Sequence, residues 1–316
     1  MRKFVLPALV AAASLGMYAC GGDGGGGAAE APSQTTTTAR FPVTVEGASG
    51  KALTITSRPE RIVSLSPTAT EMLYAIGAGD QVEAVDDQSN FPSQAPRTKL
   101  SGFQPNVEAI AGYRPDLVLL SNDEQDVVAG LDRLSIPTLL LPAAQKLDDT
   151  YGQIELVGKA TGHPSEATAA VTKMKADIDA IVAGIPERAA PLTYYHELDD
   201  TLFSVTSQTF IGQIYSLVGL KNIADKADKE GSGYPQLSPE YLVKADPDLI
   251  FLADTKCCGQ SAQTLAERSG FANLAAVKNG TVIPLDDDIA SRWGPRVVDF
   301  LRTVAAAVAK APTTSG

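Results

Sequence analysis

The chain has 316 residues, of which 44% are hydrophobic and 20% are charged, and its formal net charge is −11. This length allows one large domain or two ordinary ones, and the composition excludes a disordered chain or a bundle of membrane helices. The acidic balance argues against a nucleic-acid partner, which would require a basic face. Two His residues cannot supply a three-His metal site, and we expect no bound metal.

The first twenty residues predict a lipoprotein signal peptide at 1–19. Arg2 and Lys3 precede an apolar stretch that is too short for a transmembrane helix. Cys20 then follows a small residue, as in a bacterial lipoprotein box, and we expect a lipid on Cys20 to anchor the protein outside the cell membrane. Residues 20–40, rich in Gly, Ala and Thr, predict a flexible tether. The alternative is ordinary cleavage nearby, with an unmodified Cys20.

One segment of the chain occurs twice. Glu108 lies seven residues before Pro115, Glu240 lies seven residues before Pro247, and an apolar run follows each proline. Each copy predicts a short helix interrupted by proline and then a buried strand. A repeat of such long period favours two similar lobes over a solenoid.

The two lobes also begin alike. A predicted strand at 61–65 leads into a helix with a capping box of Thr68 and Glu71, and a predicted strand at 202–206 leads into a second helix. This order predicts parallel α/β layers. Residues 165–183 predict a long amphipathic helix between the lobes, which permits small tilting but no wide hinging. We expect an N-terminal lobe at 41–163, an interlobe helix at 164–186, a C-terminal lobe at 187–311 and a tail at 312–316.

Several of these segments are similar to one family. Residues 61–71, residues 291–296 and the two repeated segments resemble segments of the substrate-binding proteins of bacterial ABC importers for ferric siderophores, haem and cobalamin. The resemblance covers residues 58–310 and implies two Rossmann-like lobes with parallel sheets, joined by one long rigid helix, with the ligand in the cleft between them. The spacing around residues 90–95 and 102–104 is similar to that of the cobalamin-binding members.

The resemblance also implies partners. In this family a Glu at the tip of each lobe pairs with Arg on the permease, and Glu108 and Glu240 match these positions. The alternative is that each Glu only complements a helix dipole, because Asn106 and Ser238 are predicted N-caps just before them. We expect a monomer that meets an ABC permease dimer with its ATPase, the membrane through its lipid, and no nucleic acid.

Ligand-contacting side chains should lie at the carboxyl ends of parallel strands and face the cleft. Aromatic rings would supply flat apolar area for a macrocycle or chelate, and Lys or Arg would neutralise an anionic ligand. The candidates are Ser66, Thr68, Phe91, Phe103, Asn122, Tyr195, Phe210, Tyr234, Lys256, Arg292 and Trp293. Against this, a Phe that follows a polar run usually lies in the core, which is the alternative for Phe91 and Phe103. The acidic run 286–288 predicts a solvated loop.

Two other features leave alternatives open. If Cys20 is lipidated, Cys257 and Cys258 can form a disulfide only with each other, and such a bridge between neighbours would be strained. A soft-metal site at the two thiols is the less favoured interpretation. His196 ends a predicted strand and either contacts ligand or metal or is a satisfied residue near the surface, whereas His163 at a helix start predicts a structural role.

Enzyme motifs are absent from the sequence. It contains no Gly-x-Ser-x-Gly elbow, phosphate loop or His-Glu-x-x-His helix, so we expect no catalytic residues and no cofactor. The sequence therefore predicts an extracytoplasmic receptor that captures a ferric siderophore or a corrinoid and delivers it to an ABC importer. Two alternatives stay open: a haem receptor of the same fold, and a surface lipoprotein that binds a protein partner or has become an enzyme.

Overall fold

Two four-stranded parallel sheets form the framework of the protein, in a computed structural model that describes residues 40–47 and 52–312. The first half contains β1 (Val43–Glu46), β2 (Ala52–Ile55), β3 (Ile62–Leu65), α1 (Pro67–Ala75), β4 (Val82–Val85), α2 (Val107–Gly112), β5 (Leu117–Leu120), α3 (Val127–Arg133), β6 (Thr138–Leu140), α4 (Leu147–Thr161) and α5 (Pro164–Ala183). The second half contains β7 (Thr193–Glu197), α6 (Phe210–Leu217), β8 (Lys221–Asn222), α7 (Pro239–Ala245), β9 (Leu249–Leu252), α8 (Thr255–Cys258), α9 (Ala262–Glu267), α10 (Ala275–Lys278), β10 (Val282–Pro284), α11 (Asp287–Ser291) and α12 (Val297–Lys310).

The strand order is β4-β3-β5-β6 in the first sheet and β10-β9-β7-β8 in the second, and every neighbouring pair in these sheets is parallel. The central strands β3, β5 and β9 are buried along their whole length. Continuous burial is typical of parallel strands, because helices cover both faces of the sheet. A separate antiparallel hairpin pairs β1 with β2. The predicted α/β architecture with two sets of parallel strands is confirmed.

The two repeated segments fold alike. In each copy a short helix, α2 or α7, precedes a buried strand, β5 or β9, and the proline lies in the turn between them. Asn106 accepts a hydrogen bond from the backbone N–H of Ala109 at 2.8 Å, and Ser238 accepts one from Tyr241 at 3.1 Å. These side chains satisfy helix N–H groups that would otherwise lack partners. The predicted N-caps are therefore confirmed.

The predicted strand at 202–206 is wrong. The first strand of the second sheet is β7, and residues 202–206 form an irregular buried segment after it. The N–H groups of Ser204 and Thr206 donate to the carbonyls of Pro235 and Gly233, at 3.0 and 2.9 Å. This apolar run therefore satisfies its backbone against a neighbouring loop and never joins the sheet.

The long helix α5 carries one buried stripe. Its buried residues are Ala167, Val171, Met174 and Ile178, which recur every three or four positions and so share one face. The helix packs on α4 and α12. The same core includes residues of both sheets, and all described residues belong to one compact unit. The division into lobes at α5 remains a prediction, but a shared core resists wide movement of the two sheets.

In residues 40–47 and 52–312, no helix combines the length and the apolar character that crossing a membrane requires. The predicted signal peptide, Cys20 and nearly all of the predicted tether and tail lie outside the described residues.

Candidate ligand-binding cleft

A cavity of about 590 Å³ opens at the carboxyl ends of β3, β4 and β5. Its volume lies within the range of small-molecule sites, and the ends of parallel strands are the expected place for a ligand. The second half of the chain closes it with the segment that follows β10. The lining residues are Leu65, Ser66, Pro67, Thr68, Asp86, Gln88, Gly102, Phe103, Ser121, Asn122, Ala143, Asp288, Ser291, Arg292 and Trp293.

Six of the predicted ligand residues lie together in this lining. They are Ser66, Thr68, Phe103, Asn122, Arg292 and Trp293. The Phe103 ring is 73% exposed, so it offers an uncovered aromatic face at the cavity mouth. Trp293 is held in place on both sides, because its indole N–H donates to Gln153 Oε1 at 3.1 Å and its carbonyl accepts from Thr150 Oγ1 at 3.0 Å.

Three predicted ligand residues belong elsewhere. Tyr195 is fully buried in the core beneath the second sheet, and Phe210 packs against the main core at the start of α6. Tyr234 is 48% exposed on a loop outside the cavity lining. Strand ends and aromatic character predicted all three, but neither feature tells which face of a strand or helix the side chain takes.

Phe91 and Lys256 are also displaced from the cavity lining. The Phe91 ring lies against the Arg296 guanidinium, 4.2 Å from its carbon to the ring centroid, beside a smaller neighbouring pocket. Lys256 Nζ forms ion pairs with Asp286 at 2.7 Å and Asp288 at 2.9 Å. Its charge is therefore paired within the protein, and its contact with an anionic ligand stays a prediction.

A buried ion cluster joins the two halves beside the cavity. Glu71 Oε1 lies 2.8 Å from Arg292 Nη1 and 2.6 Å from Arg296 Nη2, and the Glu71 side chain is 1% exposed. Burial alone would lower the pKa of Arg296, but hydrogen bonding to Glu71 and its charge outweigh burial and raise it. The predicted capping box is wrong, because Ser66 caps α1 and Glu71 faces these arginines instead.

The terminal N–H groups of Arg292 are all engaged. Nη1 donates to Glu71 at 2.8 Å and to Asn90 at 3.0 Å. Nη2 donates to the carbonyl of Gln88 at 3.0 Å and to Asp288 at 2.7 Å. Each Nη carries two hydrogens, so Arg292 retains only its Nε–H. It therefore lines the cavity without offering a free charge to an anionic ligand.

The acidic run 286–288 forms the start of α11, and its carboxylates are hydrogen-bonded within the protein, so it is not the predicted solvated loop. Asp287 accepts hydrogen bonds from the backbone N–H groups at the start of α8, at 2.9–3.0 Å. Asp288 lines the cavity and binds Lys256, Arg292 and Asn90. Burial would raise the pKa of Asp288, but these hydrogen bonds and charges lower it, so its carboxylate stays ionised.

Asp86 is a lining residue that sequence reasoning missed. It follows β4 directly, is 1% exposed, and its Oδ1 has no hydrogen-bond partner among the described residues. Burial raises its pKa, and hydrogen bonds from Ser89 only partly oppose this. Its position directly after the buried end of β4 is the signal that could have found it.

The remaining polar candidates do not line the cavity. Cys257 and Cys258 are free and exposed at the end of α8, so the disulfide left open by the sequence is not formed here. The hydrogen bond with Cys258, with burial, raises the pKa of Cys257 to about 12.

His196 is fully buried with Nδ1 2.7 Å from Tyr215 Oη, and burial lowers its pKa to about 3. In the part of the chain that the structure describes, no three His, Cys, Asp or Glu cluster as a metal site.

The two parallel sheets and the cavity at their carboxyl edge define a receptor for small solutes. The family model for periplasmic binding proteins matches residues 62–289, and the chain belongs to that family. The members of this family bind solutes as receptors and are not enzymes.

Two relatives and one solved structure show the range of similarity. The chain is 30% identical to an uncharacterized ABC transporter substrate-binding lipoprotein of Bacillus subtilis, over 97% of each chain. It is 32% identical to a cobalamin-binding protein of Halobacterium salinarum, over 84% of this chain and 73% of that one. It superposes on the periplasmic vitamin B12-binding protein of Vibrio cholerae with a TM-score of 0.63 and 25% identity, over 79% of this chain and 97% of that one.

Proposed function

We propose that this protein is an extracytoplasmic receptor that captures a corrinoid such as cobalamin and delivers it to an ABC importer. The family and the two cobalamin-binding or vitamin B12-binding relatives support the class of ligand. In this proposal it acts by binding its ligand and handing it to the importer.

The charges in the cavity lining favour a corrinoid over haem or an anionic siderophore. Arg292 is the one basic residue in the lining, and its terminal N–H groups are engaged by protein acceptors. Haem and many ferric siderophores bring carboxylates or other anionic groups, which would find no free counter-charge here. A corrinoid instead brings peripheral amides, and the hydroxyls and amides of Ser66, Ser121 and Asn122 can hydrogen-bond with them.

The proposed receptor also requires a membrane anchor and an ABC permease as its partner. A lipid on Cys20 would keep the receptor at the membrane, and the tether at 20–40 would let it reach a permease dimer with its ATPase. The receptor works as a monomer, because one cavity of one chain takes the ligand.

Glu108 and Glu240 are the proposed docking residues. Both are exposed in the first turn of their helices, and neither forms an ion pair with any residue that the structure describes. Each helix ends in the turn that starts β5 or β9, so its first turn points toward the carboxyl edge of its own sheet. Two exposed carboxylates at equivalent positions, neither of them in an ion pair with a described residue, suit two equivalent basic sites on a permease dimer.

The test of the ligand uses the single tryptophan. Trp293 lines the cavity, so a bound chromophore should quench its emission. We would titrate the full chain carrying Cys20→Ser with cyanocobalamin, haemin and a panel of ferric siderophores, with free tryptophan as the control for light absorption. Saturable quenching by cyanocobalamin alone is the expected result.

The same titration separates the other candidates. Saturation by haemin or by a siderophore alone would overturn the corrinoid assignment while keeping the receptor. Absence of binding to every chelate, checked by calorimetry, would favour a lipoprotein that binds a protein partner.

A further inference from the structure

Asp86 is the one carboxyl in the cavity lining that has no cationic partner. The other, Asp288, is bound by Lys256 and Arg292. The Asp86 backbone N–H donates to the Ser64 carbonyl at 3.0 Å, which ties the residue to β3. Its side chain therefore sits on the rigid end of the sheet and not on a movable loop.

The backbone of Gly102 packs closely against the Asp86 carboxyl. A Cβ at Gly102 would lie 3.1 Å from Asp86 Oδ2 and 2.5 Å from the Leu65 carbonyl oxygen. No side chain fits at position 102, so bare backbone lies against one side of the carboxyl. The Asp86 Oδ1 atom has no partner among the described residues.

A buried acceptor without a donor costs folding free energy, and proteins seldom retain one without a use. The charged residues that act on Asp86 are Asp87, which is exposed, and Arg292, whose terminal N–H groups are already engaged. Burial raises the pKa of Asp86 because neither the hydrogen bonds nor the Arg292 charge fully offsets desolvation. Because Asp86 lines the cavity, a molecule bound there can supply a donor to its carboxylate.

On the basis of the proposed corrinoid receptor, we propose that Asp86 determines specificity by accepting a hydrogen bond at its carboxylate from a primary amide of the ligand. An ionised carboxylate accepts hydrogen bonds and donates none, so it pairs with an amide N–H. A ligand carboxylate at the same place would set two like charges together in a buried site, which is strongly unfavourable. Asp86 thus admits the amide form of a corrinoid and rejects forms with a carboxylate at that position.

The test compares cyanocobalamin with its b-, d- and e-monocarboxylic acids, in each of which one peripheral amide is replaced by a carboxylate. Binding to the full chain in detergent would be measured by calorimetry at pH 8. We expect one acid to bind about tenfold or more weakly than cyanocobalamin. In Asp86→Asn, whose amide can donate to a carboxylate, this ratio should fall to about twofold.

Asp87→Asn is the matched control, because it removes the same charge from the neighbouring exposed residue outside the cavity lining. It should keep the wild-type ratio. The proposal is overturned if the wild type binds all three acids as tightly as cyanocobalamin, or if Asp86→Asn leaves the ratio unchanged. Equal binding of all the acids by the wild type would overturn the proposal even where Asp86→Asn fails to fold. Absence of any cyanocobalamin binding would overturn the proposed function together with this inference.

Discussion

At the scale of single residues, buried charge is concentrated on a few side chains. Glu71 holds two arginines from the far end of the chain, and Glu197 holds Arg268 through two contacts of 2.7 Å. A buried carboxylate with hydrogen-bonded cations is tolerated, whereas one without them is costly. The effect of removing a carboxylate should therefore depend on its burial and its partners.

Glu71→Gln should destabilise the protein by roughly 3–5 kcal/mol, because it leaves Arg292 and Arg296 buried without their counter-charge. Urea denaturation would measure the free energy of unfolding. Glu83→Gln is the control, since its ion pair with Arg61 at 3.2 Å is about two-fifths exposed and should be worth ~0–1 kcal/mol. An equal loss in both variants would contradict this account of the Glu71 cluster.

Asp254 should make stability depend on pH. Burial, and then the charge of Glu197, raise its pKa to about 7, and both its oxygens lack partners among the described residues. The unfolded Asp pKa is about 4, so the folded state binds the extra proton between pH 4 and 7. The Asp254 contribution to stability therefore falls as pH rises through this window and stays low above it.

Asp254→Asn should raise the melting temperature at pH 8 and leave it unchanged near pH 4, with a gain of at most ~4 kcal/mol at pH 8. His196 acts oppositely: its lowered pKa gives stability that is lost as pH falls below about 6.5, equally in both proteins. The exposed Asp200→Asn serves as the reference, and calorimetric scans at both pH values provide the measurement. A shift of equal size at pH 4 and pH 8 would refute this assignment to Asp254.

At the scale of elements, the sequence predicts what is local. The duplicated segments, β3, α5 and the N-caps Asn106 and Ser238 all follow from apolar period and capping chemistry, and all are present. Glu71 was misassigned, because its partners lie more than 220 residues away and no local pattern reveals them. The 202–206 segment was misassigned because its burial comes from a loop that the strand pattern does not contain.

The cavity residues also divide into those that local sequence predicts and those that depend on distant contacts. Ser66, Thr68 and Asn122 were predicted because they follow or flank buried strands of the first sheet. Asp86 satisfies the same rule and could have been included. The engagement of Arg292 could not be predicted, since it depends on how two distant segments meet.

Two helical glycines differ in the space that surrounds them, and substitution by alanine should therefore change stability in opposite directions. In α6, a Cβ at Gly212 would collide with the Thr206 carbonyl oxygen and lie 2.7 Å from the Ser207 Cα, so Gly212→Ala should cost about 1–3 kcal/mol. In α4, Gly152 has open space at its Cβ position, and Gly152→Ala should instead stabilise by about 0.5–1 kcal/mol. Chemical denaturation of both variants gives the signs, and stabilisation by Gly212→Ala would show that the α6 contact is looser than described.

At the scale of the whole molecule, the two halves are held as one body around a cavity that already exists. The shared core, the Glu71 cluster and the Asn90–Asp288 hydrogen bond of 3.0 Å all join residues from opposite ends of the chain. A receptor built this way gains affinity from preformed complementarity more than from closure. Signalling to a permease would then depend on surface outside the cavity lining, where the proposed docking residues Glu108 and Glu240 lie.

The docking proposal predicts that transport and binding can be separated. Glu108→Ala with Glu240→Ala should leave the affinity for cyanocobalamin unchanged, because neither residue lines the cavity, and should reduce corrinoid uptake by cells several-fold. Each single variant should fall between, since one equivalent contact remains. The uptake defect should also grow at high ionic strength in the single variants, because salt screens the remaining exposed charge pair.

Glu155→Ala with Glu187→Ala is the matched control for this experiment, as both glutamates are exposed and the change in net charge is the same. It should support normal uptake, which would show that the position of the carboxylates matters and not the total charge. Normal uptake by the Glu108 and Glu240 double variant would leave these residues as dipole-complementing first-turn glutamates. A parallel loss of ligand affinity would instead place them at the cavity. The double variant therefore tests whether the duplicated segments of the fold recognise a permease dimer through its two equivalent subunits.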